Sequence, residues 1–128
     1  MNPVIKKRWL KALRSGEYVQ SQGCLHDNAG YCCLGVLTDL FLKEKGEEWS
    51  MCEPPPGVFT STGILNYYAY GEVNYLPEEV QEWAGLHSKS PTVVMKESNH
   101  DNKIDALAYL NDSGKTFQQI AQIIEEQL

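Results

Sequence analysis

The stretch YCCLGVLTDLFLKEKG, residues 31–46, decides the fold class. Leu34, Leu37, Leu40 and Phe41 recur at helical spacing with Val36 beside them, which predicts a mostly buried helix over residues 33–45 closed by Gly46. Such a helix needs partners to cover it on most sides, and the flanking segments supply them. Residues 3–14 place Ile5, Trp9, Ala12 and Leu13 on one face and Lys7, Lys11 and Arg14 on the other, with Pro3 suited to a first turn. At the far end, Phe117, Ile120, Ala121, Ile124 and Leu128 trace one face of a terminal helix, and Thr116 with Gln119 three residues later forms a capping-box pattern.

Between these helices the periodicity changes. Residues 17–31 carry Tyr18, Val19 and Leu25 broken by Gly23 and the turn-forming run Asp27, Asn28, Ala29, Gly30, which predicts a short hairpin. Three successive prolines (Pro54, Pro55, Pro56) and Gly57, Gly63 and Gly71 exclude a long regular element over 47–75, a segment that carries Tyr67, Tyr68, Tyr70 and Tyr75. Pro77, Glu78 and Glu79 open a helix bearing Val80, Trp83 and Ala84, stopped by Gly85. Residues 92–95 read as a strand, 96–103 as a polar loop, and Ile104, Leu107, Ala108 and Leu110 as a short helix ending at Asn111 to Gly114. The expectation is one compact α+β domain over residues 1–128, with about five helices and a small antiparallel sheet or hairpin.

Composition fits a folded chain: 42% of the residues are hydrophobic and 22% charged, far from the polar, highly charged composition of disordered segments. No apolar run approaches the roughly 18 residues of a membrane span, and the N-terminal segment carries charges where a signal peptide would be apolar, so a cytoplasmic protein is expected. The net charge of −6 has the wrong sign for extended nucleic-acid binding. It is unevenly spread: Lys6, Lys7, Arg8, Lys11 and Arg14 give the first fourteen residues +5, leaving −11 on the remainder. A local anion contact at the first helix is compatible with that distribution.

Four stretches, LRSGEYVQSQG at 13–23, GYCCLGVL at 30–37, YLPEEVQEWAGL at 75–86 and LNDSGKTFQQIAQIIE at 110–125, resemble a widespread group of small uncharacterised proteins encoded by phages and prophages. The shared pattern is a basic Trp-bearing helix, Tyr-x-Gln, Cys-Cys-Leu-Gly, a Leu-Pro helix, Leu-Asn-Asp-Ser-Gly and a closing helix. The resemblance covers most of the chain apart from residues 47–74. It implies a setting in the cytoplasm of a host cell, where short accessory proteins act on host machinery or host defence.

Three kinds of chemistry fit the residues. A papain-like thiol hydrolase would use Cys33 at a helix start, His100 as base, and Asn111 or Asp112 to orient it, yet no histidine falls within one of the shared motifs. A non-catalytic binder of a nucleotide-derived small molecule would use aromatic faces and donors, for which Trp9, Tyr18, Gln20, Tyr68, Tyr70, Asn111 and Asp112 are the candidates. A host-protein-binding inhibitor would use the acidic, tyrosine-rich surface, and a homo-oligomer is compatible with either binding role. No phosphate loop, dinucleotide fingerprint or C-x-x-C pair is present, so neither a cofactor nor a metal is expected, and the four cysteines read as reduced thiols. The binder is the expected class. Within it, Asp112 or Ser113 is expected to satisfy amides at the start of the last helix.

Overall fold

The computed structural model describes residues 1–51, 66–96 and 102–128. Helix α1 (Pro3–Arg14) starts where the Asn2 side chain accepts hydrogen bonds from the amides of Val4 and Ile5 at 2.9 and 3.3 Å. Helix α2 (Cys33–Lys45) ends at Gly46, whose φ of 69° supplies the left-handed turn. Strands β1 (Ser50–Met51) and β2 (Tyr67–Tyr68) pair antiparallel, followed by helix α3 (Glu78–Ala84). Strands β3 (Thr92–Lys96) and β4 (Asn102–Ala106) form a second antiparallel pair, and helices α4 (Leu107–Asp112) and α5 (Phe117–Gln127) close the chain. The fold is therefore α+β, with five helices and two two-stranded sheets among the described residues.

The core lies where α1 and α4 flank α2 and α5 packs on α1, filled by Trp9, Leu13, Leu34, Leu37, Leu107, Ile120 and Ile124, all essentially without exposed surface. Thr116 and Gln119 make the expected reciprocal capping box on α5. Among the described residues no helix is long and apolar enough to cross a membrane.

Two expectations change. Ile104 belongs to a strand and is 70% exposed, and helix begins only at Leu107. Residues 102–106 find partners across the pair, Ile104 opposite Val94, so strand pairing outweighs a short helical pattern that mixes Ile104 with the buried Leu107. Residues 17–31 make isolated bridges, Gln20 to Tyr31 and His26 to Tyr31, instead of a regular hairpin. There the Asp27 carboxylate collects the amides of Ala29 and Gly30 at 2.8 and 2.9 Å, which closes a tight side-chain turn in place of a ladder.

Candidate functional site

The three short motifs meet in one polar hub. Gln20, on the segment after α1, donates from Nε2 to Asn111 Oδ1 at 2.8 Å and to the Lys115 carbonyl at 2.7 Å, and its Oε1 accepts from the Phe117 amide at 3.1 Å. Asn111, fully buried at the end of α4, also accepts from the Cys33 amide at 3.2 Å and donates to the Ser21 carbonyl at 2.8 Å. Cys32 caps α2, its Sγ accepting from the Gly35 amide at 3.4 Å. Gln20 thus serves the first amide of α5 and Asn111 the first amide of α2, and the bonds of Asn111 to Gln20 and Cys33 join residues 91 and 78 positions apart in sequence. Every buried side-chain nitrogen and oxygen among the described residues has a partner, so the hub is complete without a ligand.

This corrects the expectation for the last helix: Gln20 and Thr116 satisfy its amides, while Asp112 Oδ1 accepts from the Gly23 amide at 3.0 Å and Ser113 Oγ donates to the Leu110 carbonyl at 3.2 Å. Trp9 is also reassigned. Its ring is fully buried and its Nε1 donates to the Cys33 carbonyl at 2.9 Å, so it presents no face to a ligand. Asp112 remains exposed on the rim of a cleft of about 310 Å³ that also meets Cys24, Asn74 and Tyr75.

Tyr18 leads to a different place. Its hydroxyl donates to Asp39 Oδ2 at 2.6 Å, and Asp39, buried in α2, also receives Trp49 Nε1 and Lys43 Nζ, each at 3.0 Å. Around this carboxylate lies an aromatic cluster. His26 is sandwiched between Tyr31 (centroids 3.9 Å apart, planes 2° apart) and Tyr67 (4.3 Å, 15°), with Trp49 edge-on at 5.1 Å. Tyr18 meets Tyr31 edge-to-face at 5.1 Å. The Gly30 carbonyl lies 2.7 Å from His26 Nδ1 and can only accept, so Nδ1 carries a proton and donates it. Burial, followed by the hydrogen bond to Asp39, pushes the Tyr18 phenol up to about 12, and burial with the Asp39 charge raises Tyr31, so both stay neutral donors.

Two clefts flank the cluster. One, of about 300 Å³, is lined by Glu17, Asp27, His26, Tyr31 and Tyr67. The other, of about 340 Å³ between α1 and α2, is lined by Arg8, Lys11, Glu17, Tyr18 and Lys43. Glu17 lines both. Arg8 is paired with Glu44 at 2.9 Å and Lys43 with Asp39, while Lys11 has no ion pair among the described residues. Tyr67 is the tyrosine of its segment that joins the cluster. Tyr68 pairs with Ser50 in the first sheet, and Tyr70 donates its hydroxyl to Glu47 and sets its ring against Phe41. Tyr31, Trp49 and Asp39 are the residues that sequence reasoning passed over as site residues, since no spacing rule links 26, 31, 39, 49 and 67.

The family described as Domain of unknown function (DUF8296) matches residues 1–128. The chain belongs to that family. No curated protein and no solved structure matches it. Hub, aromatic cluster and both clefts all fall within the matched span.

The thiol chemistry can be weighed from geometry. Cys33 has no exposed surface, its Sγ lies 3.7 Å from the Leu107 carbonyl, and burial pushes its thiol well above the ordinary range. Burial likewise raises Cys32, to about 12. A nucleophile needs an accessible thiolate; Cys33 has no exposed surface, and Cys32, which reaches the wall of the 310 Å³ cleft, keeps only 3% of its surface exposed, with its Sγ engaged by the Gly35 amide. His100, the base considered for a hydrolase, and Cys52 lie outside the described residues. Iodoacetamide should therefore label Cys32 and Cys33 slowly in the native protein and rapidly after denaturation. Mass spectrometry of tryptic peptides reads the difference, and fast native labelling of either thiol near neutral pH would restore the hydrolase.

Proposed function

We propose that the protein is a phage or prophage accessory protein that binds a nucleotide-derived small molecule, such as a signal of host defence, in the host cytoplasm without transforming it. The observation that carries this reading is the aromatic cluster of His26, Tyr31 and Tyr67, whose cleft adjoins a cationic cleft across Glu17 and Tyr18. A nucleobase needs an aromatic platform, a phosphate needs cations, and a sugar needs acceptors for its hydroxyls. Tyr31 and Tyr67 supply the first, Lys11 and Arg8 the second, and Glu17 lies between them. The setting rests on the resemblance to phage and prophage proteins.

Calorimetry of the full chain against cyclic nucleotides and ADP-ribose derivatives tests the reading. At least one compound should bind, and Tyr67→Ala should weaken it by about 5- to 150-fold, the equivalent of the roughly 1–3 kcal/mol that one base–aromatic stack contributes. Lys11→Gln should weaken a phosphorylated ligand and leave the matching nucleoside unchanged. A folded sample that gives no heat with any member of the panel would overturn it.

A further inference from the structure

We infer that the chain pairs with a second copy of itself through the outer edge of β4. The two edges of the β3–β4 pair are treated differently. On the β3 side, the Gln127 side chain imitates a neighbouring strand: its Oε1 accepts from the Val94 amide and its Nε2 donates to the Val94 carbonyl, both at 2.7 Å. Those bonds point Val94's backbone groups away from β4. Since Val94 stands opposite Ile104, the Ile104 amide and carbonyl must in turn point away from β3, into the outer edge. No hydrogen bond from a described residue outside the pair reaches them, and the Ile104 side chain is 70% exposed. An open edge with an exposed β-branched residue is a template for another strand.

The charge pattern selects the occupant and the register. Alternation makes residues 102, 104 and 106 the ones that hydrogen-bond outward, so an antiparallel copy can be centred on residue 103, 104 or 105. Centring on 103 sets Lys103 against its own copy, and centring on 105 does the same for Asp105, placing like charges directly opposite. Centring on Ile104 sets Lys103 against Asp105 of the second copy, twice, and Ile104 against Ile104. Lys103 and Asp105 already share one face, 3.7 Å apart. On the opposite face the register aligns Val94, 45% exposed, and Ile104 with their counterparts, giving one apolar stripe across a four-stranded sheet. A single pair of five-residue strands makes a small interface, so the dimer should depend on concentration.

Sedimentation velocity of the full chain, from low micromolar to near-millimolar concentration, should show a reversible monomer–dimer equilibrium. Hydrogen exchange should show the Ile104 amide slowing as concentration rises. Ile104→Pro removes an outward amide that β3 does not use, so the chain should stay folded by circular dichroism and lose the dimer. Lys103→Asp should also abolish pairing, and the double exchange of Lys103→Asp with Asp105→Lys should restore it. A chain that is monomeric throughout, a dimer that survives Ile104→Pro, or an Ile104 amide of the unaltered chain that exchanges at the same rate at every concentration would overturn the inference. If Ile104→Pro fails to fold, the exchange measurement on the unaltered chain and the Lys103→Asp variant decide in its place.

Discussion

Gly35→Ala should deprive the chain of its cooperative native fold, or lower its unfolding free energy by more than about 4 kcal/mol, at the extreme of what a single substitution does. Helix propensity argues the other way, since alanine inside a helix is favoured over glycine by roughly 0.5–1 kcal/mol. Packing decides against it. A Cβ at Gly35 would lie 1.7 Å from the Leu25 carbonyl oxygen and 2.7 Å from its carbon, both backbone atoms. That backbone is fixed from both sides: the Leu25 amide donates to the Val73 carbonyl at 2.8 Å, and the Leu25 carbonyl accepts from the Cys32 amide at 3.0 Å. Relief would require α2 to move off the Leu25 segment, opening the core around Leu25, Leu34 and Leu37 and pulling apart the hub at Cys33. Urea titration followed by circular dichroism measures the effect. A midpoint close to that of the unaltered chain would mean that the Leu25 segment yields to a Cβ without opening the core.

The position of Gly35 also marks the boundary of what the residues reveal in order. Helices α1, α2, α3 and α5 are legible because their signals are local: a 3.6-residue stripe such as Ile5, Trp9 and Leu13, an opening Pro3 or Thr116, a closing Gly46 or Gly85. Strand β4 is not, because its pairing with β3 is settled by partners across the sheet and Ile104 carries the same apolar signal in a helix or a strand. The motifs Tyr-x-Gln, Cys-Cys-Leu-Gly and Leu-Asn-Asp-Ser-Gly are visible as patterns, yet their purpose emerges only when Gln20, Cys33 and Asn111 are brought together. The aromatic cluster is the least legible. His26 in a turn, Trp49 after a helix and Tyr67 beyond a proline-rich stretch each have an ordinary reading alone, and only the fold stacks Tyr31 and Tyr67 on His26 and sets Trp49 edge-on to it.

Asn111→Ala is expected to cost about 3–5 kcal/mol, because truncating one partner of a buried network leaves the other groups desolvated and unpaired at roughly 1–3 kcal/mol each. The carboxamide satisfies the Cys33 amide, the Ser21 carbonyl and one hydrogen of the Gln20 amide, in a site with no exposed surface. Gln20 retains its bond to the Lys115 carbonyl, so the two backbone groups bear most of the loss. Against the roughly 5–15 kcal/mol that holds a domain of this size together, the variant should melt far below the unaltered chain. Asn111→Asp separates shape from donor capacity. An ionised carboxylate there would still accept from Cys33, but it would face the Ser21 carbonyl without a proton to give and sit beside Asp112, whose Oδ1 is 3.2 Å from Nδ2. Burial and that like charge favour the protonated form in the fold, which can donate to Ser21. The folded state of this variant therefore binds more protons than the unfolded one. Its deficit relative to the unaltered chain should shrink as pH falls toward the ordinary carboxylate range and grow as pH rises above it. Equilibrium unfolding of both variants at mildly acidic and neutral pH reads these differences. A normal melting temperature for Asn111→Ala, combined with lost ligand binding, would move Asn111 from the frame of the protein into its binding site.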